Sequence, residues 1–158
     1  MSYPCWGEYR IEPLESHEVP ELATALAALD PWNTLGYSPA ALTRYLTRPD
    51  PALHRYALRA RDTTAGVLSV RHPWLLGPYL ELLAILPAHQ DQGLGRKALR
   101  WIEEHPEWHP KNVWVTVSDF NERARAFYRR AGYCEVAALP GLVSPGRAEI
   151  LLRKEIAA

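Results

Sequence analysis

The residues best suited to chemistry lie in LPAHQDQGLGRKA, where Gly93 and Gly95 stand at the mouth of a helix-like segment. The first N–H groups of a helix lack intrahelical partners and carry partial positive charge. A helix start can therefore hold a phosphate, and glycine lets that phosphate reach the backbone. Gln90, Asp91, Gln92, Gly93, Leu94 and Gly95 form a candidate pyrophosphate loop, with Arg96 better placed than Lys97 to reach a phosphate. The same two glycines also suit a plain tight turn. A second motif shares these letters. Gly93-Leu94-Gly95-Arg96-Lys97-Ala98 is a G-x-G-x-x-A, the dinucleotide fingerprint, with Asp119 in the place of a ribose-binding acid. That fingerprint sets its first glycine directly after a strand, whereas Pro87 to Gln92 intervene here, after antiparallel-looking strands. A Walker loop is excluded, because Ala98 follows Lys97 where Ser or Thr would hold magnesium.

These residues need elements to position them. Leu80 to Ile85, a short apolar run bounded by Pro87, predicts a strand buried on both faces. Strict alternation puts Glu81 on the face of Leu83 and Ile85. From Leu94 on, Ala98, Leu99 and Ile102 follow helical spacing, and the helix should end near His105-Pro106. Upstream, Met1 to Gly7 reads as a loose lead-in, Tyr9 to Leu14 as a first strand and Glu18 to Leu29 as a first helix. Ser38-Pro39 opens a second helix, with Ser as cap and Pro in the first turn. His54 to Ala60 and Ala65 to Arg71 form a hairpin, and His72 to Pro78 is a loop rich in Pro, Trp and Leu. Downstream, Val113 to Val117 is a β-branched strand. Asn121 caps a helix that Gly132 stops, with Ala124, Phe127, Tyr128 and Ala131 on one stripe and the arginines mostly facing away. Cys134 to Leu139 and Ala148 to Glu155 are the last strands, so the fold class is a mixed α/β sheet.

Composition narrows the classes. A chain of 158 residues fits one domain, 1–158, with a substantial core. Lys plus Arg equals Asp plus Glu, at 18 each, so no global basic field points to nucleic acid. Cys5 and Cys134 lack metal-ligand spacing and are too few for a disulfide framework, which fits reduced thiols and a cytoplasmic location. No apolar stretch reaches membrane-spanning length, and no signal-peptide pattern is read at the N-terminus.

Two stretches carry a resemblance. Gln90 to Gly95 matches the Q/R-x-x-G-x-G/A signature of the GNAT superfamily, the acetyl-CoA-dependent N-acetyltransferases, and the L-A-I-L-P before it looks like that family's central strand. Asn121 to Tyr133 matches the second GNAT motif, N-x-x-A-x-x-F/L-Y-x-K/R-x-G-F/Y, at every marked position. The match is close over the second half of the chain, and by topology alone over the first.

The resemblance implies a GNAT-type sheet of about six to seven strands flanked by about four helices. It implies acetyl-CoA as acyl-donor cosubstrate and no metal. The loop amides would hold the CoA pyrophosphate, and main chain at Leu83, Ala84 and Ile85 would pair with the pantetheine arm, which Asn121 would also touch. A main-chain N–H near Ile85 would serve the developing oxyanion, and Tyr128 would be the acid that protonates the leaving thiolate. The alternative for Tyr128 is a core aromatic with its hydroxyl tied to backbone. Glu81 is the candidate base, with a solvated carboxylate as its plain alternative. His72 is a weaker candidate, His89 would face solvent or CoA, and His105 and His109 read as surface residues.

The acceptor would be a primary amine of a small molecule or peptide, attacking directly in a ternary complex. Its site would lie at a splayed gap beside the central strand, bordered by Trp32, Tyr37, Trp74, Leu75 and Glu81. Asp30-Pro31-Trp32 resembles the ribosomal-protein alanine acetyltransferases, but Thr116 stands where their base glutamate is expected. Two other readings stay open: a GNAT-like acyl-CoA sensor without turnover, and a dinucleotide-binding domain. No nucleic acid and no membrane is expected as partner, and a homodimer is an open arrangement.

Overall fold

The computed structural model describes residues 3–157. In chain order the elements are β1 (Cys5–Trp6), β2 (Tyr9–Pro13), α1 (Val19–Ala27), α2 (Trp32–Leu35), α3 (Pro39–Thr47), β3 (Leu53–Ala60), β4 (Thr63–Trp74) and β5 (Gly77–Ile85). There follow α4 (Leu94–Glu103), β6 (Asn112–Ser118), α5 (Glu122–Arg130), β7 (Cys134–Pro140) and β8 (Ala148–Glu155). The strands form one mixed sheet in the order β1-β2-β3-β4-β5-β6-β8-β7. Among the described residues only β5 and β6 pair in parallel, as the crossover through α4 requires.

Most boundaries follow local chemistry. The Ser38 hydroxyl accepts from the Ala41 amide at 3.0 Å, and Pro39 occupies the first turn of α3. Asn121 Oδ1 accepts from the Ala124 amide at 3.1 Å and starts α5. The sheet buries both faces. Leu94, Leu99, Ile102 and Tyr128 of α4 and α5 pack with Leu80 and Val115 on one side, and α1 and α3 cover Leu82 and Ala84 on the other.

The sheet has eight strands, more than the six to seven expected, because the lead-in pairs Cys5 with Arg10 and Trp6 with Tyr9. The expected loop His72 to Pro78 is instead the end of a long hairpin, since β4 runs through Trp74 and pairs it with Gly77. Its turn residues, Leu75 and Leu76, have φ of 36° and 61°. That left-handed backbone costs a side-chain-bearing residue about 1–2 kcal/mol each, and no turn-forming residue announces it. Two bonds hold the turn. Trp114 Nε1 donates to the Leu75 carbonyl at 3.0 Å, and Asn112 Nδ2 donates to that of Leu76 at 3.4 Å. Beside them Gly77 presses on β6 so closely that a Cβ there would lie 1.9 Å from the Asn112 carbonyl oxygen.

The region after α4 also differs from expectation. His105 is buried rather than superficial, and its ring stacks on Trp108 at 3.7 Å between centroids. Trp108 stacks in turn on His72 at 5.3 Å. Aromatic area, absent from any periodic pattern, thus docks this connection onto the sheet.

Candidate active site

Strands β5 and β6 share two ladder positions, Tyr79 with Trp114 and Leu80 with Val115, and then part. The parting coincides with an irregularity. Ser69 and Val70, adjacent in β4, face Leu82 and Leu80 of β5, so Glu81 is the extra residue of a β-bulge. The bulge overturns the expected alternation. Leu83 and Ile85 pack toward the α4–α5 layer, whereas Glu81 reaches Tyr45 of α3. Beyond Glu81, the β6-facing main chain of β5 has no strand partner among the described residues, and the gap opens into two cavities.

The larger cavity, about 810 Å³, is of ligand size. Leu83, Ala84 and Ile85 line it on one side, and Gln90, Asp91, Gly93, Leu94, Gly95 and Arg96 line it on another. Gly93 is the N-cap of α4 with φ of 78°, so glycine here serves the backbone conformation. Space is not the reason, since a Cβ at Gly93 would meet nothing within 4 Å. Gly95 instead packs under the Phe127 ring, which a Cβ at that position would approach to 3.3 Å. Gln90 Nε2 donates to the Ile85 carbonyl at 2.9 Å and so ties the loop to the strand. Gln92 is the member of the predicted loop that does not line the cavity, because its side chain accepts from the Tyr9 hydroxyl.

The helical stripe of α5 predicts arginines that mostly face away, and two of them do not. Arg123 and Arg130 line the cavity, with Arg123 bridged to Asp91 at 2.9 Å. Arg96 Nη1 reaches only the Arg130 carbonyl, at 3.3 Å, and neither of these two cations has a carboxylate partner among the described residues. Unpaired guanidinium groups beside the start of a ten-residue helix fit a multiply charged phosphate ligand. His89 also borders this cavity.

The smaller cavity, about 280 Å³, lies between α2, α3 and the splayed strands. Trp32, Tyr37 and Glu81 line it as predicted. Trp74 and Leu75 do not: the Trp74 ring packs on Tyr79 at 4.8 Å and on Trp114 at 5.5 Å, behind the cavity wall. Their place is taken by Tyr79, whose hydroxyl shares a 2.7 Å hydrogen bond with Thr116. Trp32 is held by a one-turn helix, α2, where Asp30 Oδ1 accepts from the Thr34 amide at 3.1 Å.

Glu81 is not a free carboxylate. Its Oε1 takes a bond of 2.6 Å from Arg71 Nε, and its Oε2 takes one of 2.8 Å from the Tyr45 hydroxyl. Arg71 is bridged to Asp50 as well, at 3.0 Å. A second carboxylate, which no motif marks, lines the same cavity. Glu149 of β8 is 8% exposed, and burial, with Asp119 nearby, pushes its pKa up. Its position opposite Ser118 on β6 puts it beside the gap, but eight residues of a final strand do not show in sequence which face meets a ligand.

Tyr128, Asn121, Ala124, Trp32 and Leu83 line both cavities, so the two meet at the splay. The Tyr128 ring is buried in the core, and its hydroxyl has no hydrogen-bond partner, backbone or side chain, among the described residues. Burial, with Tyr79 nearby, pushes the phenol pKa well above its ordinary value. Tyr128 therefore carries its proton throughout the physiological range.

The sheet thus splays between β5 and β6, with the start of α4 on one side of the gap and an aromatic cavity on the other. The chain matches the Acetyltransferase (GNAT) family over residues 14–133 and belongs to that family. No curated protein matches it. Among solved structures, an acetyltransferase from Thermus thermophilus superimposes with a TM-score of 0.75 at 21% identity, covering 93% of this chain and 96% of that one. Spermidine N-acetyltransferase from Vibrio cholerae, in complex with CoA and spermine, gives 0.71 at 15% identity, covering 96% and 97%. A ribosomal-protein alanine N-acetyltransferase from Escherichia coli gives 0.71 at 18% identity, covering 95% of each chain. At these identities the likeness is one of fold.

Proposed function

We propose that the protein transfers an acetyl group from acetyl-CoA to a primary amine by direct attack in a ternary complex. The observation that carries this reading is the meeting of the two cavities at Tyr128, with a protonated and unpartnered phenol between them. The loop from Gln90 to Arg96, with Arg123 and Arg130, would hold the pyrophosphate, and the open main chain of Leu83 to Ile85 would pair with the pantetheine arm. Bound there, acetyl-CoA supplies a thioester whose carbonyl carbon accepts the amine and whose sulfur departs.

The chain's own groups manage orientation and protons. Tyr128 Oη can give its proton to the departing sulfur, and the N–H proton that the nitrogen sheds after attack, passed on through solvent, restores it. Main-chain N–H groups of β5 face the gap without strand partners, suited to a developing oxyanion. Trp32, standing on the wall between both cavities, positions the two substrates against each other. The dinucleotide reading has no comparable support, since an antiparallel hairpin precedes β5 and a 3-10 turn separates it from Gly93.

The test is a thermal melt with acetyl-CoA or NADH, followed by an acetyl-transfer assay on an amine library. Acetyl-CoA at a hundredfold its Kd should stabilise the protein by about 2.7 kcal/mol, and NADH should not. Gly93→Val should abolish the shift by straining the loop. Stabilisation by NADH alone would overturn the reading. Stabilisation by acetyl-CoA with no transfer to any amine would replace it with an acyl-CoA sensor.

A further inference from the structure

Two carboxylates face the small cavity, and their surroundings differ. Glu81 is neutralised, with Arg71 on one oxygen and Tyr45 on the other. Glu149 is buried to 8% exposure, and no lysine or arginine among the described residues pairs with it. Across the β6–β8 ladder stands Ser118, 1% exposed. Its hydroxyl tempers the upward shift of Glu149 but makes no hydrogen bond of full geometry. A buried hydroxyl without a partner stands beside a carboxylate that lines the cavity and has no cation paired with it among the described residues, an arrangement suited to a ligand of opposite charge. That ligand has to bring a positive charge and N–H donors.

We propose that Glu149, with Ser118, receives the ammonium group of the acceptor and takes its proton, and that the acceptor is a small primary alkylamine carrying an apolar or aromatic group. This assignment rests on the acetyltransferase reading of the same site. The remaining walls fix the rest of the ligand: Trp32, Leu35, Tyr37, Leu42 and Val143 offer apolar and aromatic surface, and about 280 Å³ of space suits a small body. A long polyamine would need a second free carboxylate, and Glu81 is already committed. In the step itself, one N–H bond of the ammonium breaks and its proton passes to a Glu149 oxygen. The freed lone pair is then available to the acyl carbon.

Ser118 of β6 stands opposite Glu149, Asp119 and Tyr79 interact with its charge, and Thr116, Glu81 and Tyr128 line the same cavity. None is a cation. Burial and Asp119 raise its pKa, which brings the carboxylate closer to the range where a base works at neutral pH. The amine site should accordingly fill less well as the pH falls.

The test uses calorimetric titration of the CoA-saturated protein with 2-phenylethylamine and with 2-phenylethanol, its uncharged counterpart. The wild type should bind the amine at least about tenfold more tightly than the alcohol, as expected for a charge-assisted contact. Glu149→Gln should erase that preference and leave alcohol binding unchanged, and Glu149→Asp should restore part of it. Acidification should weaken amine binding in the wild type and not in Glu149→Gln. No amine preference in the wild type, or equal losses for both probes in Glu149→Gln, would overturn the assignment. A protein that binds acetyl-CoA and shows the Glu149-dependent preference but transfers no acetyl group would sink the acetyltransferase reading and leave the ammonium site standing.

Discussion

The Tyr45 hydroxyl donates a 2.8 Å hydrogen bond to Glu81, and this contact ties helix α3 to the bulge of β5. Burial and the Glu81 charge both push the Tyr45 phenol up, so it remains a donor. The bond fixes the bulge, and the bulge sets where β5 turns away from β6.

Glu81→Gln should therefore behave as a lesion of support. Arg71 would keep Asp50 alone, and with side chains 17–24% exposed the cost should be about 1–2 kcal/mol. Denaturant melts would measure it. The pH profile of acetyl transfer should keep its shape. Loss of an ionisation from that profile would instead make Glu81 the base.

Tyr128→Phe removes one oxygen and keeps the ring that packs between Phe127 and Tyr133. Folding and the acetyl-CoA thermal shift should survive, while turnover falls by roughly ten- to a thousandfold, near the range for losing a general acid. Turnover equal to the wild type would reduce Tyr128 to packing.

Two tryptophans should separate cleanly. Trp32 lines both cavities, so Trp32→Ala should raise the KM for the amine and for acetyl-CoA. Trp74 lies behind Tyr79, so Trp74→Ala should lower stability, by about 1–3 kcal/mol for a half-buried aromatic. Its effect on either KM should be small. A large and selective rise in amine KM would place Trp74 in the acceptor wall after all.

Glu149 also makes a prediction about stability and pH. Its folded-state pKa lies above the unfolded value, so the folded state binds the proton more tightly. The associated stability is fully present below the unfolded pKa and is lost as pH rises through the folded one. Glu149→Gln, which never ionises, should melt higher than the wild type near pH 7, and the difference should vanish toward about pH 4. A variant that melts lower at pH 7 would show a carboxylate held by contacts of its own.

The second half of the chain is legible in sequence because its punctuation is local. Gly93, Asn121 and Gly132 mark helix ends by backbone conformation and capping, and these need no tertiary context. The side of the smaller cavity is not. Alternation assigns Glu81 to the face of Leu83 because a bulge leaves no trace in a run of apolar letters. The turn at Leu75 and Leu76 reads as loop because its usual glycine or asparagine is absent and its support comes from Asn112 and Trp114, far along the chain. Glu149 escapes a reading of letters for a related reason, since what sets it apart is having no cationic partner among the described residues, and a sequence records residues rather than missing contacts.

The contact of Gly77 with Asn112 has a mechanical reading. It is the fulcrum of a fork whose two prongs, β5 and β6, are joined at one end and free at the other. The spread of the prongs at the free end is inherited from how closely the two backbones meet at the joint. Any side chain at position 77 would prise that joint apart and alter the width of the gap without itself lining either cavity. Selection for bulkier or slimmer acceptors thus has a lever outside the pocket, and variants chosen for altered amine size should accumulate at the joint as well as at the walls.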